Sequence, residues 1–262
     1  MKIYLGGARG SLPVGGADKI KYGGETFALL VEGCAGEQIL VDAGSGIQRV
    51  VDRVRPGATL FFTHTHLDHL IGLPLLVGVW PCQLVSPRGG LPEILARVFS
   101  PPVWPVELPA GDYPEPRTSL TVGGLRLRWQ EVAHPDGCLA VRVDEAATGA
   151  AVVVATDIEW GAMTPDAQDA FVAFAHQADL LLFDAHYTPE EYAQYHGWGH
   201  STWTDAVAVA RRCSVKKLWL VHHAPERTDA QLDQLSALAA AEFPGAVCPT
   251  VQTADAVFNM PE

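Results

Sequence analysis

The residues best suited to chemistry lie in the segment Thr63-His64-Thr65-His66-Leu67-Asp68-His69. Three imidazoles and one carboxylate fall within this short segment, directly after the apolar run of residues 58–62. Imidazole and carboxylate together are ligands of Zn²⁺, Mn²⁺ or Fe. The segment therefore predicts a metal site, and a histidine-rich surface loop without tight metal binding is the alternative.

The spacing of these ligands also indicates how many ions they hold. In an extended chain His64, His66 and Asp68 point to one side, because successive side chains alternate. His69 points the other way unless the chain turns at Asp68, as it does on entering a helix. Such a turn lets Asp68 and His69 hold one ion while His64 and His66 hold a neighbour, so two adjacent metal ions are predicted.

Ligand-type residues also follow apolar runs in the second half of the chain. They are His134 after residues 125–132, Asp157 after 151–155, Asp184 and His186 after 180–183, and His222 with His223 after 217–221. A single polar strand end is commonly a solvated end. Four such ends beside one histidine cluster predict a shared rim, since catalytic groups often sit on loops held by a rigid sheet.

Short apolar strands and interleaved helices must position these residues. Strands are predicted at 2–5, 27–31, 38–41, 58–62, 125–132, 151–155, 180–183 and 217–221, and helices at 47–54, 91–99, 165–177, 202–213 and 228–243. No linker interrupts this pattern, so we expect an α/β (α+β) chain with two sheets packed face to face, helices outside, and one domain over residues 1–262.

Three segments near the predicted site have less specific patterns. Asp42 follows a strand and either caps the next helix or supports the histidine cluster, and support is the preferred interpretation. The glycine-rich segment 6–16 matches neither nucleotide-binding glycine motif, which favours a connector, or backbone amides that line a pocket. The proline-rich segment 100–116 predicts an irregular covering loop.

Composition narrows the class of protein. Hydrophobic content of 48% with 18% charged residues is typical of a packed globular chain. A formal net charge of −12 disfavours a broad nucleic-acid footprint. Five scattered cysteines without a Cys-x-x-Cys pair predict reduced, mostly buried thiols. The chain start lacks the apolar core of a secretory signal and no apolar stretch is long enough to span a bilayer, so a cytoplasmic location is expected.

The ordered set His64-x-His66-x-Asp68-His69, His134, Asp157 and His222 resembles the metallo-β-lactamase-fold hydrolases over nearly the whole chain. The resemblance implies an αβ/βα four-layer sandwich of two mixed sheets with a two-metal site between them. It also implies that His64, His66 and His134 hold one metal, that Asp68, His69 and His222 hold the other, and that Asp157 bridges both. His222 fits the pattern better than His223, which stays a competitor.

Asp184-Ala185-His186-Tyr187 and residues 197–202 resemble the phosphodiesterase branch, which includes ribonuclease Z and bacterial cyclic-nucleotide phosphodiesterase-like proteins. This implies that Asp184 orients His200, which contacts the phosphate. His200 precedes a helix capped by Ser201 or Thr202, near a positive dipole end suited to anions, although a helix-end histidine of no special role is the alternative. Leu67 replaces the glycine usual in ribonuclease Z, and no substrate-gripping arm is evident, which favours the smaller members.

The function expected from these features is hydrolysis of a small phosphodiester, such as a cyclic nucleotide, by two divalent ions. A hydroxide bridging the ions would attack phosphorus, oriented by Asp68, while His200 held by Asp184 would steady the phosphate or protonate the leaving oxygen. Hydrolysis of a carboxylic ester, thioester or lactone on the same metals is one alternative, and a non-catalytic nucleotide or metal sensor is another. A homodimer is compatible with these features.

Overall fold

Two mixed β-sheets form the interior of the computed structural model, which describes residues 1–81, 83–106, 108–113, 118–250 and 258–259. The strands are β1 (Lys2–Gly7), β2 (Ala28–Glu32), β3 (Gln38–Val41), β4 (Thr59–Phe61), β5 (Gln83–Val85), β6 (Ser119–Val122), β7 (Leu125–Val132), β8 (Cys138–Glu145), β9 (Ala151–Ala155), β10 (Leu180–Asp184), β11 (Lys217–Val221), β12 (Ala246–Val247) and β13 (Phe258–Asn259). The helices are α1 (Ile47–Val50), α2 (Leu91–Val98), α3 (Pro165–Ala175), α4 (Pro189–Tyr195), α5 (Trp203–Cys213) and α6 (Asp229–Glu242). Short 3₁₀ segments occupy Val51–Arg53, Leu67–His69, Leu73–Val79 and Trp160–Ala162.

The order of the strands brings the predicted ligands to one edge. The first sheet runs β13-β1-β2-β3-β4-β5 and the second runs β12-β11-β10-β9-β8-β7-β6. Strands β3, β4 and β5 are parallel, as are β9, β10, β11 and β12. Because the carboxyl ends of parallel strands meet at one edge of a sheet, the residues that follow β4, β9, β10 and β11 come together there.

Apolar side chains from both sheets share one core between them. Ile3 and Leu29 of the first sheet belong to the same buried cluster as Val141 and Leu182 of the second. A second cluster packs α1 and α2 against the outer face of the first sheet, and a third packs α3, α5 and α6 against the outer face of the second. This is the expected sandwich of two sheets with helices outside.

The predicted strands and helices are all present, with ends shifted by a few residues at most, except that the helix at 47–54 divides into α1 and a 3₁₀ turn. Strands β5, β6, β8, β12 and β13 and helix α4 were not predicted. Of the five cysteines, Cys34 is exposed, Cys138, Cys213 and Cys248 are buried, and Cys82 lies outside the described residues. Residues 107 and 114–116 of the predicted covering loop also lie outside them. None of the helices among the described residues combines the length and the apolar character needed to cross a membrane.

Candidate metal centre

Every predicted metal ligand lies in one cluster at the carboxyl edge of the two sheets. His64 and His66 follow β4 in an extended segment, and the chain then turns through the 3₁₀ segment Leu67–His69. This turn is the one that the spacing required, and it brings Asp68 and His69 to the same side. Two neighbouring groups result, one of His64, His66 and His134, and one of Asp68, His69, Asp157 and His222, with the ligand atoms of each within 4.8 Å of one another.

Asp157 lies between the two groups. Its Oδ1 atom is 3.8 Å from His64 Nε2, 3.7 Å from His134 Nε2 and 3.2 Å from His222 Nε2. Its Oδ2 atom is 3.1 Å from His69 Nε2. Oδ1 therefore faces both groups and Oδ2 faces the second, so the carboxylate contacts both groups, the position that a bridging ligand requires.

The cluster carries an excess of buried negative charge. Asp42, Asp68, Asp157 and Asp184 are all buried, and among the described residues none of them pairs with lysine or arginine. Burial by itself raises a carboxyl pKa, but the surrounding imidazoles hold the pKa values of Asp68 and Asp157 below their usual range. Since an unpaired buried charge is costly, ionised carboxylates in this setting call for bound cations.

The imidazoles supply lone pairs for such cations. Burial lowers the pKa values of His64 and His134, so both rings are neutral. Burial opposes a charge on His69 as well, but Asp68, Asp157 and Asp42 together raise its pKa above the ordinary value. His64 Nε2, His69 Nε2 and Asp157 Oδ2 are buried and make no hydrogen bond within the described part of the chain. Nitrogen and oxygen atoms that face one another in this way, without hydrogen-bond partners, are suited to be ligands of a divalent metal ion.

The side chain of Asp42 fixes the orientation of the ligand His69. Asp42 Oδ2 lies 2.8 Å from His69 Nδ1, and Asp42 also accepts hydrogen bonds from the backbone and hydroxyl of Thr63. Helix α1 has no side-chain cap, so Asp42 supports the histidine cluster, as preferred from the sequence. A carboxylate on the second nitrogen of a metal-binding histidine holds its ring orientation.

The glycine-rich segment 6–16 reaches the cluster through its backbone. The amide of Ser11 donates a hydrogen bond to Asp68 Oδ2 at 2.9 Å. This contact agrees with the second interpretation from the sequence, in which backbone amides of the segment line a pocket. Gly10 lies against the ring of His222, where a Cβ atom would come within 2.4 Å of Nδ1. The preferred interpretation of this segment as a connector alone is therefore incomplete.

His222 and His223 have different environments. His222 Nε2 faces Asp68 and Asp157, at 3.4 and 3.2 Å. His223 is fully buried away from the cluster, and burial, with Arg9 and Arg227 nearby, lowers its pKa to about 3. The structure therefore brings His222, and not its neighbour, into the cluster.

The Asp184–His200 pair lies beside the ligands. Asp184 Oδ2 is 2.8 Å from His200 Nδ1, and the His200 ring centroid is 5.3 Å from that of His134 and 4.9 Å from that of His222. Burial alone would lower the pKa of His200, but the Asp184 carboxylate raises it to about 8. The raised pKa favours the protonated form of His200. Thr202, rather than Ser201, caps the helix that follows.

Glu159 is a site residue that sequence reasoning missed. Its buried carboxylate accepts hydrogen bonds from the amides of Gly197 and Gly199 and from the hydroxyl of Tyr192, at 2.7 to 2.8 Å. It thereby holds the loop that leads to His200. The only sequence signal is a carboxylate two residues after Asp157 in an apolar setting, which is weak.

Comparison with known proteins places this geometry in a family. Residues 37–223, well over half of the chain, match the family described as "Beta-lactamase superfamily domain". The chain belongs to the metallo-β-lactamase superfamily. It is 23% identical to a ribonuclease Z of Agathobacter rectalis, over 83% of this chain and 89% of that protein.

Solved structures agree with this assignment. The metallo-β-lactamase fold protein YhfI from Bacillus subtilis aligns with a TM-score of 0.69 and 19% identity, covering 94% of this chain and 95% of that one. A diphosphatase of the PhnP family aligns with a TM-score of 0.68 and 16% identity, covering 95% and 94%. This metallo-β-lactamase superfamily protein is a metal-dependent hydrolase. Its His/Asp cluster has the residue types and the spacing needed to hold a metal ion.

Proposed function

We propose that the protein is a binuclear phosphodiesterase that acts on a small phosphodiester, such as a cyclic nucleotide. His64, His66 and His134 would hold one divalent ion, Asp68, His69 and His222 a second, and Asp157 would bridge them. The imidazole-rich donor set suits Zn²⁺, Mn²⁺ or Fe. Such ions supply Lewis acidity and activate water near neutral pH.

The Asp184–His200 pair is the observation that carries this proposal. A protonated imidazole fixed by a buried carboxylate, next to a metal-ligand cluster, is suited to an anionic substrate oxygen. Hydrolysis at a carbonyl needs no such cation, whereas a phosphodiester carries a negative charge throughout the reaction. The names of similar proteins, a ribonuclease Z and a diphosphatase, agree with phosphorus as the reacting centre.

The residues of the chain then have distinct tasks. His200 binds a phosphate oxygen and is placed to give its proton to the departing oxygen. Asp184 keeps Nδ1 of His200 occupied, so that Nε2 is the atom available to the substrate. Asp68, which is ionised, accepts a hydrogen bond from the attacking water and orients it, and Ser11 holds its carboxylate in place.

The test separates loss of chemistry from loss of metal. We expect His200→Ala to retain metal but to lose about 10²–10⁴ in turnover of bis(p-nitrophenyl) phosphate. His66→Ala should lose metal itself, and the exposed His176→Ala serves as the control for a histidine outside the site. Unchanged turnover in His200→Ala would remove this residue from the mechanism.

A substrate panel separates the alternatives. It compares phosphodiesters, including cyclic mononucleotides, with thioesters, lactones and a structured RNA, using Zn²⁺- and Mn²⁺-loaded protein. Faster hydrolysis of a thioester or lactone than of every phosphodiester would contradict the proposal. The net charge of −12 predicts that RNA is a poor substrate.

A further inference from the structure

A cavity of about 190 Å³ adjoins two of the metal ligands and has no part in the mechanism above. His64 and His66 form one wall, and the others include Ser86, Arg88 and Gly137. A substrate group seated there would be bonded to a phosphorus atom held at the metal cluster. The cavity is therefore placed to select among phosphodiesters.

Arg88 is held in position at this cavity. Its Nη2 atom donates to the backbone oxygen of Asp136 at 2.6 Å. The guanidinium lies against Gly137, where a Cβ atom would come within 2.3 Å of Nη1, so this glycine lets the guanidinium lie close to the backbone. Pre-organisation of this kind lowers the entropy cost of binding a phosphate group through the N–H donors of the guanidinium.

Two further features of the wall favour an anion. Ser86 is buried, with 8% of its surface exposed, and its hydroxyl makes no hydrogen bond to any described residue. Helix α2 begins beside the cavity with Gly90 as its N-cap, which provides no side-chain cap for the first amides. A free hydroxyl donor and the positive end of a helix dipole both stabilise negative charge.

Two carboxylates lie near Arg88 but are open to solvent. Asp136 has 95% of its side chain exposed, with Oδ2 3.9 Å from His66 Nε2. Glu131 is 81% exposed and 3.6 Å from Arg88 Nη1. Exposed charges of this kind are screened by water and salt, so they weaken the attraction of Arg88 for an anion without cancelling it.

We propose that this cavity binds a second phosphate of the substrate, so that the preferred substrate is a phosphodiester that carries an additional phosphate monoester. The inference rests on the proposed phosphodiesterase function and specifies its substrate class. Arg88 is the specificity-determining residue, and Ser86 and the start of α2 assist it.

A matched pair of substrates tests the preference. Thymidine 5′-(p-nitrophenyl phosphate) and its 3′-phosphorylated form share a leaving group and differ only in the second phosphate. We expect kcat/KM to be about 10- to 100-fold higher for the phosphorylated form, the value typical of hydrogen bonds to charged groups. Arg88→Met should abolish this ratio while leaving turnover of the unphosphorylated form unchanged, and Arg88→Lys should restore part of it.

A binding measurement keeps this inference separate from the proposed function. Calorimetric titration of the metal-loaded protein with thymidine 3′,5′-bisphosphate and with thymidine 5′-phosphate requires no turnover. Tighter binding of the bisphosphate that is lost in Arg88→Met supports the cavity, even if no phosphodiester is hydrolysed. Equal affinity for both ligands, or a preference that survives in Arg88→Met, overturns it. Asp136→Asn should strengthen binding of the bisphosphate, because it removes a negative charge from the wall of the cavity.

Discussion

At the scale of single residues, Gly10 shows that the cluster depends on the absence of a side chain as much as on its ligands. A Cβ atom at this position would meet the ring of His222 at 2.4 Å. We expect Gly10→Ala to displace that imidazole and to weaken metal affinity by about 10- to 100-fold, the range found when the support of a ligand is disturbed. Gly15→Ala is the matched control, because nothing lies within 4 Å of the added atom.

Competition with a chromogenic chelator measures both affinities. Wild-type affinity in Gly10→Ala, or an equal loss in both variants, would show that the close approach to His222 does not matter. The unfolding midpoint of each metal-free variant should also be recorded, so that a folding defect is not mistaken for loss of a ligand.

The residues of the cluster differ in how far the sequence predicts them. His64, His66, Asp68 and His69 are close in sequence, and the residues after β9 and β11 converge because parallel strands end together. Ser11 is different, because its amide meets Asp68 across 57 residues of chain, and no local pattern indicates such a contact. The choice between His222 and His223 depends on the direction in which the chain leaves β11, which only the fold determines.

At the scale of secondary-structure elements, the loop between α4 and α5 is positioned by Glu159. This carboxylate accepts hydrogen bonds from two amides of the loop and from the hydroxyl of Tyr192 in α4. We expect Glu159→Gln to destabilise the protein by about 1–3 kcal/mol, because an amide group cannot accept all three hydrogen bonds. It should also lower turnover through His200 while metal content stays at the wild-type level.

Substitutions at two glycines of this loop distinguish the effect of backbone strain from the effect of contact with the site. Gly197 and Gly199 both have positive φ. A Cβ atom on Gly199 would lie 2.2 Å from His134 Nδ1, whereas a Cβ atom on Gly197 would have nothing within 4 Å. If Gly197→Ala reduced turnover as much as Glu159→Gln does, backbone strain in the loop would explain the loss and the carboxylate would have no special role.

Some of the elements that sequence analysis missed are too exposed or too short to show a pattern. Helix α4 has no buried residue, and strands β12 and β13 have two residues each. Strand β8 does alternate apolar and charged residues toward its end, so its apolar face was visible in the sequence and was overlooked. Strands β9 and β11 are almost wholly apolar because both of their faces are covered, and their bounds are predicted without error. Burial on both faces therefore makes a strand easier to predict.

At the scale of the whole molecule, bound metal should contribute directly to folding stability. Four buried carboxylates converge from both sheets, and among the described residues their ion-pair partners are imidazoles and not lysine or arginine. The unfolded chain holds no such site. An ion that binds only the native state adds about 2.7 kcal/mol at a free concentration about 100 times its Kd. For a chain of this size, the midpoint of thermal unfolding should then rise by on the order of 5–10 °C.

Thermal unfolding of chelator-treated protein, with and without added Zn²⁺ or Mn²⁺, measures this effect. His66→Ala is the informative variant, because the His66 side chain is 41% exposed and its removal costs the metal-free fold little. We expect it to unfold near the wild-type midpoint without metal and to gain less from added metal. If metal left the wild-type midpoint unchanged, protonated imidazoles such as that of His69 would be the cations that balance the buried carboxylates, and the cluster would not be a metal centre.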